Sequence, residues 1–223
     1  MNMTDTTSLP LTDPPRFIVV EGPIGVGKTT LTKKLAHTFG YDTLLEAAEE
    51  NPFLERFYQN NRQWALQTQL FFLFQRRDQL NALRQNDLFQ PVRVADFLIQ
   101  KDKLFASLTL DDDEFALYEK IYQHAIQETP TPDLVIYLQA PVDILQQRIK
   151  KRGIASEQGM PDSYLERLSE AYNRFFLHYD AAPLLIVNTS ELNLAESTRD
   201  YENLLQYILG IRSGRHFFNP AAY

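Results

Sequence analysis

The chain has 223 residues, 44% of them hydrophobic and 23% charged, with a net charge of −7 and no cysteine. The length and the apolar share suit one sizeable packed core and exclude a disordered or fibrous chain. The acidic balance argues against DNA or RNA as a partner; the missing thiols exclude disulfides and thiolate metal sites and suit a reducing, cytoplasmic setting. No apolar run reaches the ~18–20 residues of a membrane span, so no membrane partner is expected.

Met1–Pro15 is polar, carries prolines and lacks the basic and apolar regions of a signal peptide, so it reads as a flexible leader. Arg16–Val20 is predicted as the first strand, Thr29–Phe39 as a helix closed by Gly40, and Tyr41–Leu45 as a second strand ending at Glu46. Asn51-Pro52 suits a turn into a short helix near Phe53–Tyr58. Arg62–Arg84 carries a long helical pattern, apolar on more than one face around Trp64–Phe74, as expected of a helix buried between elements or subunits. Pro91–Ala95 is a third strand ending at Asp96, and Asp111–Gln127 a helix with acids at its N-terminal end. Leu134–Gln139 is a buried strand, followed by helices over Val142–Lys151 and Met160–His178, a strand over Leu184–Asn188 and a last helix over Leu192–Leu209. The pattern predicts one domain over residues 16–212 and a C-terminal tail over 213–223 with no evident function.

Strands alternate with helices, and the best strands are continuous apolar runs. That predicts an α/β fold in three layers, with a parallel sheet of about five strands covered on both faces. In such sheets ligands bind at the carboxyl ends of the strands. Three features stand at such ends: the loop from Gly22, Glu46 and Asp96.

The loop is the most informative of these. Gly22-Pro23-Ile24-Gly25-Val26-Gly27-Lys28-Thr29 matches the phosphate-binding pattern G-x-x-x-x-G-K-[ST], between a strand and a helix as the motif requires. Glycines let backbone N–H groups converge on phosphate oxygens. Lys28 supplies a point charge for the β- and γ-phosphates, Thr29 a hydroxyl for Mg²⁺, and Thr30 the next turn of the helix. Nucleotide binding follows; the reaction, and ATP as the phosphoryl donor, do not follow from the loop alone. Glycine-linked switch elements of GTP-binding proteins are missing, since no Asp stands three before a Gly and there is no Asn-Lys dipeptide. A small-molecule kinase remains, and it needs mobile cations over the transferring group. Arg148 and Arg152 share one helical face ahead of Gly153 and a polar stretch to Gly159. The residues alone leave two uses for this basic end: a mobile phosphate-clamping lid, or a solvated helix terminus that suits the dipole.

Further motifs, in order, carry a resemblance: Glu21 through Thr29; Glu46 with Asn51-Pro52-Phe53-Leu54 and Phe57-Tyr58; Trp64 through Gln69 to Arg76; Phe105-Ala106; Pro132 through Leu138; and Arg148-Ile149-x-x-Arg152-Gly153 with Glu157 and Tyr164-Leu165. From about Arg16 to about Leu192 the chain resembles the deoxynucleoside kinase family, particularly its bacterial deoxyadenosine and deoxyguanosine kinases. The resemblance implies Glu46 as the base that accepts the proton of the sugar 5′-hydroxyl. It implies Gln69 and Arg76 on the nucleobase, Phe105 stacked on it, and Tyr58 with Glu157 on the 3′-hydroxyl. Asp96 would join Thr29 on Mg²⁺, while Lys28, Arg148 and Arg152 would serve the transferring phosphoryl group. It further implies a homodimer and a deoxynucleoside substrate, with deoxyadenosine favoured. Two departures stand out. The family commonly has acid-Arg-Ser where this chain has Asp96-Phe97-Leu98, leaving Lys101 or Lys103 to supply the charge, and Ile154 occupies a place where relatives carry a third lid arginine. A thymidylate-like kinase, with Arg76 and Arg77 on an acceptor phosphate, and a non-catalytic nucleotide-binding subunit are the competing expectations.

Overall fold

The computed structural model describes residues 14–85, 93–127, 129–154, 157–158 and 160–220. Most of the expected leader, the first two residues of the expected third strand (Pro91 and Val92), Gly159 of the lid and Tyr223 of the tail lie outside them. Six strands form one sheet in the order β2-β3-β1-β4-β5-β6, every neighbouring pair parallel. They are β1 Phe17–Glu21, β2 Asp42–Leu44, β3 Arg93–Ala95, β4 Leu134–Gln139, β5 Leu184–Asn188 and β6 Arg215–Phe218. The helices are α1 Lys28–Phe39, α2 Leu54–Gln59, α3 Asn61–Gln85, α4 Lys101–Thr109, α5 Asp112–Ala125, α6 Val142–Arg152, α7 Asp162–Leu177 and α8 Thr198–Gly210.

The unbroken apolar strands have the cause expected of them, because both faces of the sheet are covered. Ile18, Val20, Leu134, Ile136 and Leu138 face one way, onto Leu31 and Leu35 of α1 and Leu204 and Ile208 of α8. Val19, Val135 and Tyr137, alternating with them, face Leu104 of α4 and Leu168, Tyr172 and Phe176 of α7. A third cluster joins Leu73 and Leu80 of α3, Phe97, and Tyr118 and Tyr122 of α5. Among the described residues no helix is long and apolar enough to cross a membrane.

Three expectations need correction. The sheet has a sixth strand, since residues read as a tail pair with β5 in parallel register from Leu184–Arg215 to Val187–Phe218. Only four residues long, with an exposed Arg215 and a half-buried His216 at its start, it lacks the apolar run that marks the others. The last helix begins at Thr198, not Leu192: the Ser197 side chain accepts from the Asp200 N–H and sets the start. Leu192 and Leu194 are buried as loop residues instead. Finally, α4 was not anticipated. Its first turn buries Lys101 and Asp102, charges that interrupt the apolar period a core helix shows.

Phe218 is 6% exposed and packs in the core cluster beneath β5. Phe218→Ala should cost ~3 kcal/mol of unfolding free energy, read from urea denaturation; a loss below ~1 kcal/mol would show that β6 merely rests on the sheet.

Candidate active site

The carboxyl ends of β1, β2 and β3 meet at one place, with Glu21 ending β1, Asp96 directly after β3 and Glu46 two residues past β2. β1 runs directly into the glycine loop. Gly22 has φ +150°, and a Cβ there would lie 2.5 Å from the Leu138 carbonyl oxygen; at Gly25, φ +83°, it would lie 2.8 Å from the Leu145 oxygen. The loop therefore packs against β4 and α6 at a distance only glycine permits. α1 follows with neither a side-chain cap nor an acid in its first turn, so its terminal N–H groups and positive dipole end are left for an anion. Lys28 curls over the loop and donates to the Gly22 and Pro23 carbonyl oxygens at 2.7 and 3.2 Å. Burial lowers its ammonium from the ordinary value, while Glu21, Glu46 and Asp96 pull the other way.

Asp96, at the end of β3, joins the phosphate loop to the second strand end. Its Oδ2 accepts from the Thr29 hydroxyl at 2.6 Å and its Oδ1 from the Glu46 N–H at 2.8 Å. A hydroxyl and a carboxylate beside a phosphate cradle fit Mg²⁺, which binds through few protein oxygens plus substrate phosphates.

Glu46 itself is gripped on both oxygens. The Arg76 guanidinium of α3 pairs with Oε1, and the Lys101 ammonium of α4 with Oε2 at 3.1 Å. Burial opposes its ionisation, yet Arg76, Lys101 and Lys28 outweigh burial and hold the carboxyl well below the usual carboxylate range. The backbone around it is fixed by α3, where the Gln75 and Gln79 side-chain amides donate to the Ala47 and Leu45 carbonyl oxygens at 3.1 Å each. Glu49 and Glu50, the neighbouring acids, are exposed.

Arg76 continues to Asp102, forming a buried pair. Burial pushes the Asp102 carboxyl up to about 7, with Arg76 and Lys101 pulling it down without prevailing. Gln69, 4% exposed, lies two turns before Arg76 on the same buried side of α3. Phe105 of α4 meets Tyr172 edge-on at 6.1 Å. Tyr58 is half-buried on α2; burial pushes its hydroxyl well above the ordinary value, with Tyr164 and Glu157 adding to the effect.

The two arginines of α6 part company. Arg152 pairs with Glu157 across the helix end. Arg148 turns to the loops, donating to the Val26 carbonyl oxygen at 3.3 Å, the Thr189 hydroxyl at 2.9 Å and the Thr189 carbonyl oxygen at 2.7 Å. In this structure it braces the glycine loop against the segment after β5.

Sequence reasoning missed Glu21 and Asp102 as site residues and left Lys101 undecided against Lys103. Glu21, fully buried, accepts from the Gly22 N–H at 3.2 Å, the Leu98 N–H at 2.7 Å and the Tyr172 hydroxyl at 2.7 Å. Its signal was an acid ending an apolar strand directly before the glycines. Lys103 lies outside the site, paired with Glu119. Arg77, one of two candidates for an acceptor phosphate, pairs with Asp78 on the outer face of α3. Its partner in that role, Arg76, is committed to two carboxylates.

Comparison with known proteins bears on the family and the fold. A family model described as deoxynucleoside kinase matches residues 18–211. The chain is 41% identical over 158 residues to a deoxyguanosine kinase of Bacillus subtilis, covering 70% of this chain and 76% of that one. It is 30% identical over 204 residues to a deoxyadenosine/deoxycytidine kinase of the same organism, covering 87% and 92%. Among solved structures, a deoxyadenosine kinase from M. mycoides with the products dCMP and dCDP bound superposes with a TM-score of 0.75 at 26% identity, over 87% of this chain and 100% of that one.

Asp102 yields a test of the buried network. Unfolded, it is ionised above about pH 4; folded, it keeps its proton up to about 7. The stability tied to that proton is complete below about pH 4 and is lost as pH rises through about 7. Asp102→Asn should therefore flatten the melting temperature between about pH 5 and pH 8, followed by calorimetry; an unaltered slope would mean a charged Asp102 in the folded protein.

Proposed function

The chain belongs to the deoxynucleoside kinase family, and from that premise we propose that its site transfers the γ-phosphoryl group of ATP to the 5′-hydroxyl of a purine deoxynucleoside. The observation that carries the proposal is the single carboxylate of Asp96, bonded on one side to Thr29 of the phosphate loop and on the other to Glu46. That bond pair, made from the end of β3 between β1 and β2, supports reading the loop after β1 as the donor cradle and Glu46 after β2 as the acceptor of the hydroxyl proton.

In the step proposed, the sugar 5′-oxygen bonds to the γ-phosphorus as the bond from that phosphorus to its bridging oxygen breaks. The hydroxyl proton passes to Glu46 and ADP leaves. Glu46 is ionised at any working pH, so it orients the hydroxyl first and takes the proton late, as suits a loose transition state. Lys28 exchanges the loop carbonyl oxygens for phosphate oxygens, and Arg152, half exposed at the end of α6, closes on them. Mg²⁺, held by Thr29 and Asp96 with the ATP phosphates, would neutralise charge on the donor.

Base recognition falls to Gln69, Arg76, Asp102 and Phe105. Arg76 Nε and Asp102 Oδ2 are buried without a protein partner, which is the state of groups that await a polar ligand edge. A glutamine amide pairs well with adenine, and deoxyadenosine is the first substrate proposed. Guanine is the second reading: an arginine fork suits its O6 and N7, and the relative at 41% identity is a deoxyguanosine kinase. Tyr58 and Glu157 would hold the 3′-hydroxyl.

We further propose a homodimer formed through α3 and α5. Phe74, 39% exposed, borders a groove with Ile121 and Ala125, and Leu117, 51% exposed, lies one turn before Ile121 on α5. A cytoplasmic location fits the cysteine-free composition.

A panel of the deoxynucleosides and their monophosphates with ATP and Mg²⁺ is expected to give turnover with deoxyadenosine or deoxyguanosine. Turnover with monophosphates alone would overturn the acceptor, and nucleotide binding without ATP consumption would revive the non-catalytic reading. Glu46→Gln should keep nucleoside binding and lose kcat, and Lys28→Ala should lower kcat by at least about 10²-fold. Leu117→Asp should shift the sedimenting species from dimer to monomer without loss of helix signal.

A further inference from the structure

Phe97, the residue directly after Asp96, is 1% exposed and packs with Leu73 and Tyr118 in the apolar cluster, so position 97 supplies no charge to the site. A cation arrives from four residues on. Lys101 is the first residue of α4 and is 3% exposed; its ammonium lies 3.1 Å from Glu46 Oε2 and 3.7 Å from Glu21 Oε1. Glu21 is a fixed anchor, since Gly22, Leu98 and Tyr172 all donate to it. Lys101 thus ties the end of β1, where the phosphate loop begins, to the acid beyond β2.

The two cations on Glu46 differ in what else they hold. Arg76 is shared with Asp102 and has an unpartnered buried Nε, on the side of the network proposed for the base. Lys101 is shared with Glu21, at the phosphate side. Between them they cover both oxygens of Glu46, so a sugar hydroxyl gains an unshared approach only after one cation gives way. A nucleobase draws on Arg76; nothing in the proposed complex draws on Lys101. We propose that Lys101 is the positioning residue for Glu46 during turnover: anchored by Glu21, it holds Oε2 while Arg76 turns to the base and frees Oε1 for the 5′-hydroxyl. This deepens the kinase reading and rests on it.

The test is a cycle of Lys101→Met and Glu46→Gln on the full chain, with Lys101→Arg as the conservative variant. Lys101→Met should lower kcat by about 10²-fold, leave the nucleoside KM within about threefold, and cost less than about threefold in the Glu46→Gln background, because a group that acts through Glu46 is silent once Glu46 is gone. Lys101→Arg should restore at least about tenfold of the lost kcat. Lys101→Gln, which keeps a hydrogen bond without the charge, replaces the Met variant if that does not fold. A kcat within about threefold of the parent in either folded neutral variant, or an equal loss in both backgrounds, overturns the role of Lys101. Full turnover by Glu46→Gln itself would instead sink the underlying assignment of Glu46.

Discussion

The buried ion network around Glu46 constrains everything else in this molecule. Glu21, Glu46 and Asp102 alternate with Lys101 and Arg76, and all but Glu46 are at most 4% exposed. Charges so deep are costly unless each has a partner, and removing one leaves its neighbours stranded. The network therefore ties β1, the segment after β2, α3 and α4 into a single arrangement. It trades stability that apolar side chains could supply for a fixed geometry at the reacting centre.

Asp96 performs the matching task for backbone. One short carboxylate reaches the helix that starts the phosphate loop's far side and the chain that carries Glu46. The proposed donor and acceptor subsites are then spaced across β3, which lies between β1 and β2, a distance fixed by the sheet's own hydrogen bonds. The glycine loop meets β4 at the Gly22–Leu138 approach, so the cradle is referenced to the same sheet.

Much of this was legible beforehand, for reasons that can be named. The strands announce themselves because both faces are buried, and the cradle because only glycine tolerates its backbone. The meeting of Glu46 and Asp96 beside the glycine loop was legible because parallel strands bring their carboxyl ends to one edge of the sheet. Lys101 and Asp102 were not: a charged residue in an amphipathic segment reads as exposed, and only tertiary pairing reveals it as internal. Arg148 was expected over the phosphates, yet its planar fork meets four acceptors of the loops it stands beside, a choice that side-chain identity leaves open. Gln75 and Gln79 were hidden for the converse reason, since amides on a long helix look like solvent-facing filler until the chain they clamp is placed.

The strand β6 has a consequence for how the protein is made. It follows every other strand along the chain, so during synthesis the flank of β5 emerges bare and stays so until Arg215–Phe218 has cleared the ribosome. Over that interval the nascent chain presents unsatisfied peptide groups beside an apolar surface, the situation in which neighbouring nascent chains stick together. The segment that looked dispensable in the sequence is the one that ends this exposure.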